Sequence, residues 1–174
     1  MKSILSAGML AFALATAQGA LFEFSITLDA NQAGGGGRTG SGSGTLTLDD
    51  QLHTLTFNNI VWGGLSSPST LAHIHGPAAP GQNAGVIYGL APTYTQLGGT
   101  SGTISGTLNL VDGQAGFSLA QQLNQLHSGL WYINIHSEAF PGGEIRGQIV
   151  PEPSLLALMG LGMSGWWAAR RRTR

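Results

Sequence analysis

Apolar and polar residues alternate along most of the chain between residues 21 and 150. The clearest case is Leu21–Asp29, where every second side chain is apolar. A period of two is typical of a strand with one buried and one solvated face. The same pattern predicts further strands, at Thr45–Leu48, Thr54–Trp62, Leu71–His75, Thr103–Leu110, Leu130–His136 and Glu144–Val150. The apolar run Val86–Leu90 predicts one more strand.

The segments between these strands are rich in glycine. Ala33–Gly44 is predicted to be a flexible loop, Gly76–Gly85 an irregular loop, and Pro141–Gly143 a tight turn. Asn58 and Asn59 interrupt the alternation of one strand, which indicates a bulge. Many short strands with glycine-rich turns favour an antiparallel sandwich or barrel.

One helix is expected before the last two strands. Ser118 and Gln121 have the spacing of a capping box, and leucines follow at helical intervals until Gly129 ends the pattern. The prediction is therefore an all-β fold: a single antiparallel, Greek-key-like sandwich or barrel with one short helix.

Two stretches resemble the CHRD domain, the module repeated in chordin and found singly in bacterial secreted proteins. They are the AHIHGPA run at Ala72–Ala78 and the NIHSEAFPGGEIRGQI run at Asn134–Ile149. With the strands between them, the resemblance extends over roughly residues 21–150. Resemblance to the chordin modules implies binding rather than turnover, with ligands that differ from those in animals.

Three histidines in these stretches are candidate metal ligands. His73 and His75 are two residues apart, so they share one face of a strand, and His136 faces away from the core on another. If the two strands are neighbours, three imidazoles converge outside the core and suit copper or zinc. The simpler alternative is that these are ordinary polar residues that satisfy hydrogen bonds at strand ends.

The H-x-H strand with a distant third histidine is similar to the copper ligands of Cu/Zn superoxide dismutase. This chain differs, because no bridging histidine follows His75 and no disulfide is available. Nothing in the sequence specifies redox chemistry. In the nearby strand, Arg146 shares a face with Glu144, and we expect it to pair with Glu138 or Glu144.

The N-terminus is expected to be a secretory signal peptide, residues 1–20. Lys2 precedes an apolar run, and an A-x-A pattern ends at Ala17. We expect cleavage after Ala17, with Ala20 as the second choice.

The C-terminus, residues 151–174, is expected to be a sorting signal with a transmembrane helix. Its motif is Pro151, Glu152 and Pro153; an uncharged stretch follows, and then Arg170, Arg171 and Arg172, which favour the cytoplasmic side. This arrangement resembles the PEP-CTERM signal, which implies processing by an exosortase in a Gram-negative bacterium that produces exopolysaccharide.

Charge and cysteine content narrow the function further. Residues 21–150 hold two basic and seven acidic residues, a net charge of −5, which disfavours nucleic acid. The chain has no cysteine, so disulfides and thiolate ligands are excluded. We therefore expect an exported surface or matrix protein that binds extracellular matrix or polysaccharide components without catalysis. The alternative is a copper- or zinc-binding protein, similar to superoxide dismutase, that uses the three histidines.

Overall fold

The computed structural model describes residues 20–153. Within them lie eight strands, a 3-10 turn at Gln114–Gly116 and one helix, α1, at Leu119–His127. The strands are β1 Leu21–Asp29, β2 Ser41–Asp49, β3 Thr54–Gly63, β4 Ser69–His75, β5 Val86–Gly89, β6 Ser101–Asn109, β7 Tyr132–Ser137 and β8 Ile145–Pro151. The predicted signal peptide with its cleavage site at Ala17, and the apolar and arginine-rich part of the predicted sorting signal, lie outside these residues.

All eight strands form one antiparallel sheet in the order β5-β4-β7-β8-β1-β2-β3-β6. The sheet curls into a half-barrel, so that both halves contribute to one core. That core holds Trp62 from β3 and Ile74 and Ile133 from β4 and β7, all nearly fully buried. The all-β prediction with one short helix is confirmed.

The start of β4, which extends beyond its pairing with β5, is joined by backbone hydrogen bonds to the segment that leads into β6 at the other edge of the sheet. Ser69 at the start of β4 donates its N–H to the Gly99 carbonyl and accepts from the Gly98 N–H, at 2.8 and 2.9 Å. The two glycines lie three and two residues before β6. These bonds satisfy backbone groups that a sheet edge would otherwise leave unpaired.

β2 begins earlier than the sequence predicts, because part of the glycine-rich stretch is strand. A Cβ at Gly42 would lie 2.7 Å from the Val61 carbonyl oxygen, and one at Gly44 would lie 2.7 Å from the Ile60 Cα. Glycine is used at these two positions for the close approach of β3 rather than for flexibility. The predicted loop therefore ends at Gly40.

The predicted bulge and helix are both found. The register of β3 against β6 shifts between Phe57 and Ile60, and Asn59 has a φ of 51°. At the helix, the Ser118 hydroxyl accepts the Gln121 N–H and the Gln121 side chain accepts the Ser118 N–H, the two bonds of a capping box.

Gly147 in β8 is expected to tolerate no side chain. A Cβ there would overlap the carbonyl oxygen of Thr27 in β1 and lie 3.0 Å from Ile26 Cγ1. We expect Gly147→Ala to lower the free energy of unfolding by about 1–3 kcal/mol through overpacking. Urea unfolding measures this change.

Gly89→Ala is the matched control, because Gly89 also lies in a strand and an added Cβ there meets nothing within 4 Å. Its effect should stay within about 0.5 kcal/mol. Equal midpoints for the two variants would contradict the close β1–β8 contact.

Candidate metal centre

β4 and β7 are neighbours in the sheet, and this pairing brings the three predicted histidines together. His73 lies opposite Asn134, and Leu71 lies opposite His136. The ring centroid of His73 lies 5.6 Å from that of His75 and 5.1 Å from that of His136. One nitrogen from each of the three rings can be chosen so that all lie within 4.8 Å of one another.

The shortest distance in the cluster is the 3.2 Å between His73 Nδ1 and His136 Nε2. Two nitrogen ligands at about 2.0–2.1 Å from one tetrahedral ion are separated by about 3.3–3.4 Å. The observed separation therefore suits a hydrogen bond between the two rings and equally a shared metal ion. The His75 ring lies further away, with its centroid 5.6 Å from that of His73 and 6.1 Å from that of His136.

Backbone carbonyls determine which nitrogen of two rings carries the hydrogen. His75 Nδ1 lies 3.0 Å from the Ala84 oxygen, and His136 Nδ1 lies 2.7 Å from the Pro141 oxygen. A carbonyl oxygen only accepts, so each Nδ1 must be the donor and each neutral ring has a lone pair on Nε2. A metal-ligating histidine usually donates its other ring N–H to a carbonyl or carboxylate in this way.

The Nε2 lone pair of His75 has no partner in the described part of the chain. This nitrogen is buried and makes no hydrogen bond. A buried acceptor without a partner is costly, and a bound cation would satisfy it.

Burial also favours the neutral form of two of the rings. Desolvation lowers the pKa of His73, and the nearby His136 and His75 lower it further. Desolvation is also the largest cause of the lowered pKa of His75, and electrostatic repulsion from His136 and Arg146 lowers this pKa further. The hydrogen bond to Ala84 acts in the other direction but does not cancel the shift. Neutral imidazole is the form that binds metals.

The outer face of β7 and β8, which the sequence predicts only to point away from the core, is covered. All six residues of β7 are buried, His136 being 7% exposed. The cover is the loop 76–85 between β4 and β5. Tyr132, Arg146 and Gln148, which the prediction of the site did not include, bond to this loop. Their only sequence signal is that they alternate with the core residues of β7 and β8.

Arg146 does not make the expected pair with Glu138 or Glu144. Its guanidinium donates to the Gln82 carbonyl at 2.6 Å and to Asn83 Oδ1 at 3.1 Å. Glu144 instead accepts the Ser66 N–H at 2.6 Å and lies fully buried. The two side chains are therefore used to fix separate loops.

The described part of the predicted sorting motif is joined to the sheet. Pro151 ends β8 opposite Phe24, and the Glu152 N–H donates to the Glu23 carbonyl at 2.9 Å. Glu152 and Pro153 are exposed. Arg170, Arg171 and Arg172 lie outside the described residues.

Comparison with family models gives two matches that together extend over most of the chain. The CHRD domain model matches residues 24–149, and the PEP-CTERM protein-sorting motif model matches residues 150–172. Searches of curated proteins and of solved structures each found no match.

Glu144 should make the stability of the domain depend on acid pH. Burial raises the pKa of this carboxyl, but hydrogen bonds from Ser137, Ser66 and Thr39 outweigh it and the pKa is lowered. The carboxylate therefore contributes stability above about pH 4.5, and this contribution is lost as the pH falls through the lowered native value.

We expect Glu144→Gln to be less stable at neutral pH by about 1–3 kcal/mol. Its unfolding free energy should also fall less steeply than that of the wild type as the pH falls from 5 to 3. Urea unfolding over a pH series measures both effects. Glu138→Gln, an exposed residue of the preceding turn, is the control, and a Glu144→Gln curve parallel to the wild type would contradict the prediction.

Proposed function

The chain belongs to the CHRD domain family, and on that premise we propose that it is an exported, non-catalytic binding module that holds copper or zinc. The ligands are His73, His75 and His136. The observation that supports this proposal is the convergence of three imidazoles, two of them with Nε2 lone pairs set by backbone carbonyls.

The sorting motif provides the cellular setting. A PEP-CTERM motif at residues 150–172 implies export, membrane anchoring through the C-terminal region and processing by an exosortase-type enzyme. We propose that the processed protein stays at the cell surface or in the extracellular matrix of a Gram-negative bacterium.

No helix among residues 20–153 has the length and apolar character needed to cross a bilayer.

The donor set favours copper or zinc over other ions. Three imidazole nitrogens suit both metals, whereas calcium and magnesium prefer oxygen ligands. Between the two, the general order of affinities places Cu²⁺ above Zn²⁺. Three protein ligands leave a further position open for water or for a group from a partner.

A bound ion would join parts of the fold that are distant in sequence. His73 and His75 belong to β4 and His136 to β7, and the carbonyls behind them come from loops 76–85 and 138–144. A ligand that binds only the folded state stabilises it by about 4 kcal/mol at a free concentration 1,000 times its Kd. The metal would therefore strengthen a domain that has no disulfide.

Matrix or polysaccharide components are the partners we propose for the module. The outer face of β1, β2, β3 and β6 supports this, since it carries short hydroxyl side chains that alternate with the core residues. Hydroxyls donate and accept, as the hydroxyl groups of neutral sugars do. The members are Ser25, Thr27, Ser41, Ser43, Thr45, Thr47, Thr56, Thr103, Ser105 and Thr107.

The metal proposal predicts near-stoichiometric copper or zinc in the purified full chain. Mass spectrometry after metal loading and dialysis measures the content, and the thermal unfolding midpoint should rise with bound metal. His73→Ala/His136→Ala should lose the metal and the metal-dependent rise. His53→Asn is the matched control, because His53 lies in the β2–β3 turn with a φ of 53°, which asparagine tolerates.

Metal-free protein after loading with both ions would overturn the metal centre. The chain would then be a binding module without a cofactor, and its three histidines would serve only to connect strands and loops.

The sorting proposal predicts that substitutions in the motif block processing. In a host with an exosortase, Pro151→Ala/Glu152→Ala/Pro153→Ala should accumulate as the unprocessed, membrane-bound form, detected by immunoblotting of membrane and surface fractions. Pro80→Ala, in the exposed part of loop 76–85, is the control and should be processed normally. Normal processing of the triple variant would contradict the assignment.

A further inference from the structure

The loop 76–85 is held on the sheet by side chains of β7 and β8. Arg146 donates to the Gln82 carbonyl at 2.6 Å and to Asn83 Oδ1 at 3.1 Å. The Tyr132 hydroxyl accepts the Ala84 N–H at 3.0 Å, and Gln148 donates to the Ala78 carbonyl at 2.9 Å. The position of the Ala84 carbonyl therefore depends on hydrogen bonds from side chains of β7 and β8 to this loop.

Arg146 makes two of these hydrogen bonds and also contacts the ring of Tyr132. Its guanidinium lies 3.6 Å from the centre of the Tyr132 ring. Tyr132 in turn stacks on His75, with centroids 5.0 Å apart and planes inclined by 8°. Arg146 therefore influences His75 indirectly in two ways. It binds the loop that carries the Ala84 carbonyl, and it contacts the Tyr132 ring that stacks on His75.

The positive charge of Arg146 would disfavour a bound cation, whereas its contacts with the loop and with Tyr132 support His75. A fixed positive charge near His75 repels a metal ion, and this repulsion would by itself weaken binding. A structural contribution through the loop must therefore exceed that repulsion if Arg146 favours the metal centre.

We propose that Arg146 is a positioning residue for His75. By holding Gln82, Asn83 and the Tyr132 ring, it keeps the Ala84 carbonyl on His75 Nδ1. The hydrogen of the neutral ring then stays on Nδ1, and the lone pair of Nε2 is presented to His73 and His136. The value of this arrangement for metal binding rests on the proposed function, whereas the position of the hydrogen is a property of the metal-free protein.

The first test is the tautomer of His75 in the metal-free full chain, read from the ¹⁵N chemical shifts of its ring nitrogens by NMR. In the wild type, Nδ1 should have the shift of a protonated nitrogen and Nε2 that of an unprotonated one. Arg146→Lys keeps the charge but loses the two-pronged contact with Gln82 and Asn83, so His75 should become a mixture of tautomers.

Two controls separate this effect from a general disturbance. His136 in the same variant should keep its wild-type shifts, because its partner is the Pro141 carbonyl. Arg38→Lys changes the other arginine among the described residues, which binds the Gly143 carbonyl, and should leave His75 unchanged. If Arg146→Lys does not fold, Asn83→Ala removes one acceptor from an exposed loop position and should shift His75 in the same direction.

The second test is the affinity for Cu²⁺, measured by competition with a chelator. Loss of a contact that orients a metal ligand typically weakens metal binding about 10–100-fold, and we expect Arg146→Lys to weaken Cu²⁺ binding to this extent. If Arg146 acted by charge alone, Arg146→Gln would bind copper more tightly and Arg146→Lys would match the wild type.

A wild-type tautomer at His75 in both Arg146→Lys and Asn83→Ala would overturn the positioning role. If the wild type binds no copper while the tautomer still shifts, the positioning role stands and only the metal proposal fails. The two readouts therefore test the two proposals separately.

Discussion

The pairing of β4 with β7 is the contact on which the candidate metal centre depends. On its inner face, Ala72 lies opposite Ile135 and Ile74 opposite Ile133, and all four side chains are buried. A shift of one residue in this register would turn these side chains out of the core. The burial of apolar groups on one face of the strand pair therefore sets the positions of the histidines on the other.

The outer face of β7 and β8 is stabilised by hydrogen bonds instead of apolar contacts. Asn134, His136 and Gln148 each donate to a carbonyl of a neighbouring loop or turn. Buried polar groups are tolerated when they are paired, and hydrogen bonds also restrict the conformations of the side chains that make them. The bonds of His75 Nδ1 to the Ala84 carbonyl and of His136 Nδ1 to the Pro141 carbonyl hold the two rings in defined orientations.

Local features of the fold could be predicted from the sequence, because they depend on neighbouring residues. The alternation of Leu21–Asp29 marked β1 to the residue, and Ser118 and Gln121 marked the start of α1. The shared face of His73 and His75 follows from the period of a strand alone. The contact with His136 could only be stated as a condition, since 63 residues separate it from His73 and local patterns carry no information on strand order.

The covering of β7 and β8 was missed for a related reason. A polar residue that alternates with core residues looks the same whether it meets water or the backbone of a loop. For Arg146, the sequence predicted an ion pair with Glu144 or Glu138. In the structure, its guanidinium donates to the carbonyl of Gln82 instead. Every residue of a loop has a backbone carbonyl, whatever its type. A backbone partner therefore cannot be predicted from the sequence and is identified only in the structure.

The surroundings of the three histidines indicate how such a centre would gain its affinity. The metal-ligand cluster found among residues 20–153 contains no carboxylate, Glu144 is bound to Ser66 and Thr39, and Arg146 adds a positive charge nearby. The cluster thus offers no carboxylate ligand, which disfavours hard cations such as Ca²⁺ and Mg²⁺. Affinity would have to come from the imidazole donors and from their orientation before the metal binds. Those are the conditions under which Cu²⁺ and Zn²⁺ are preferred.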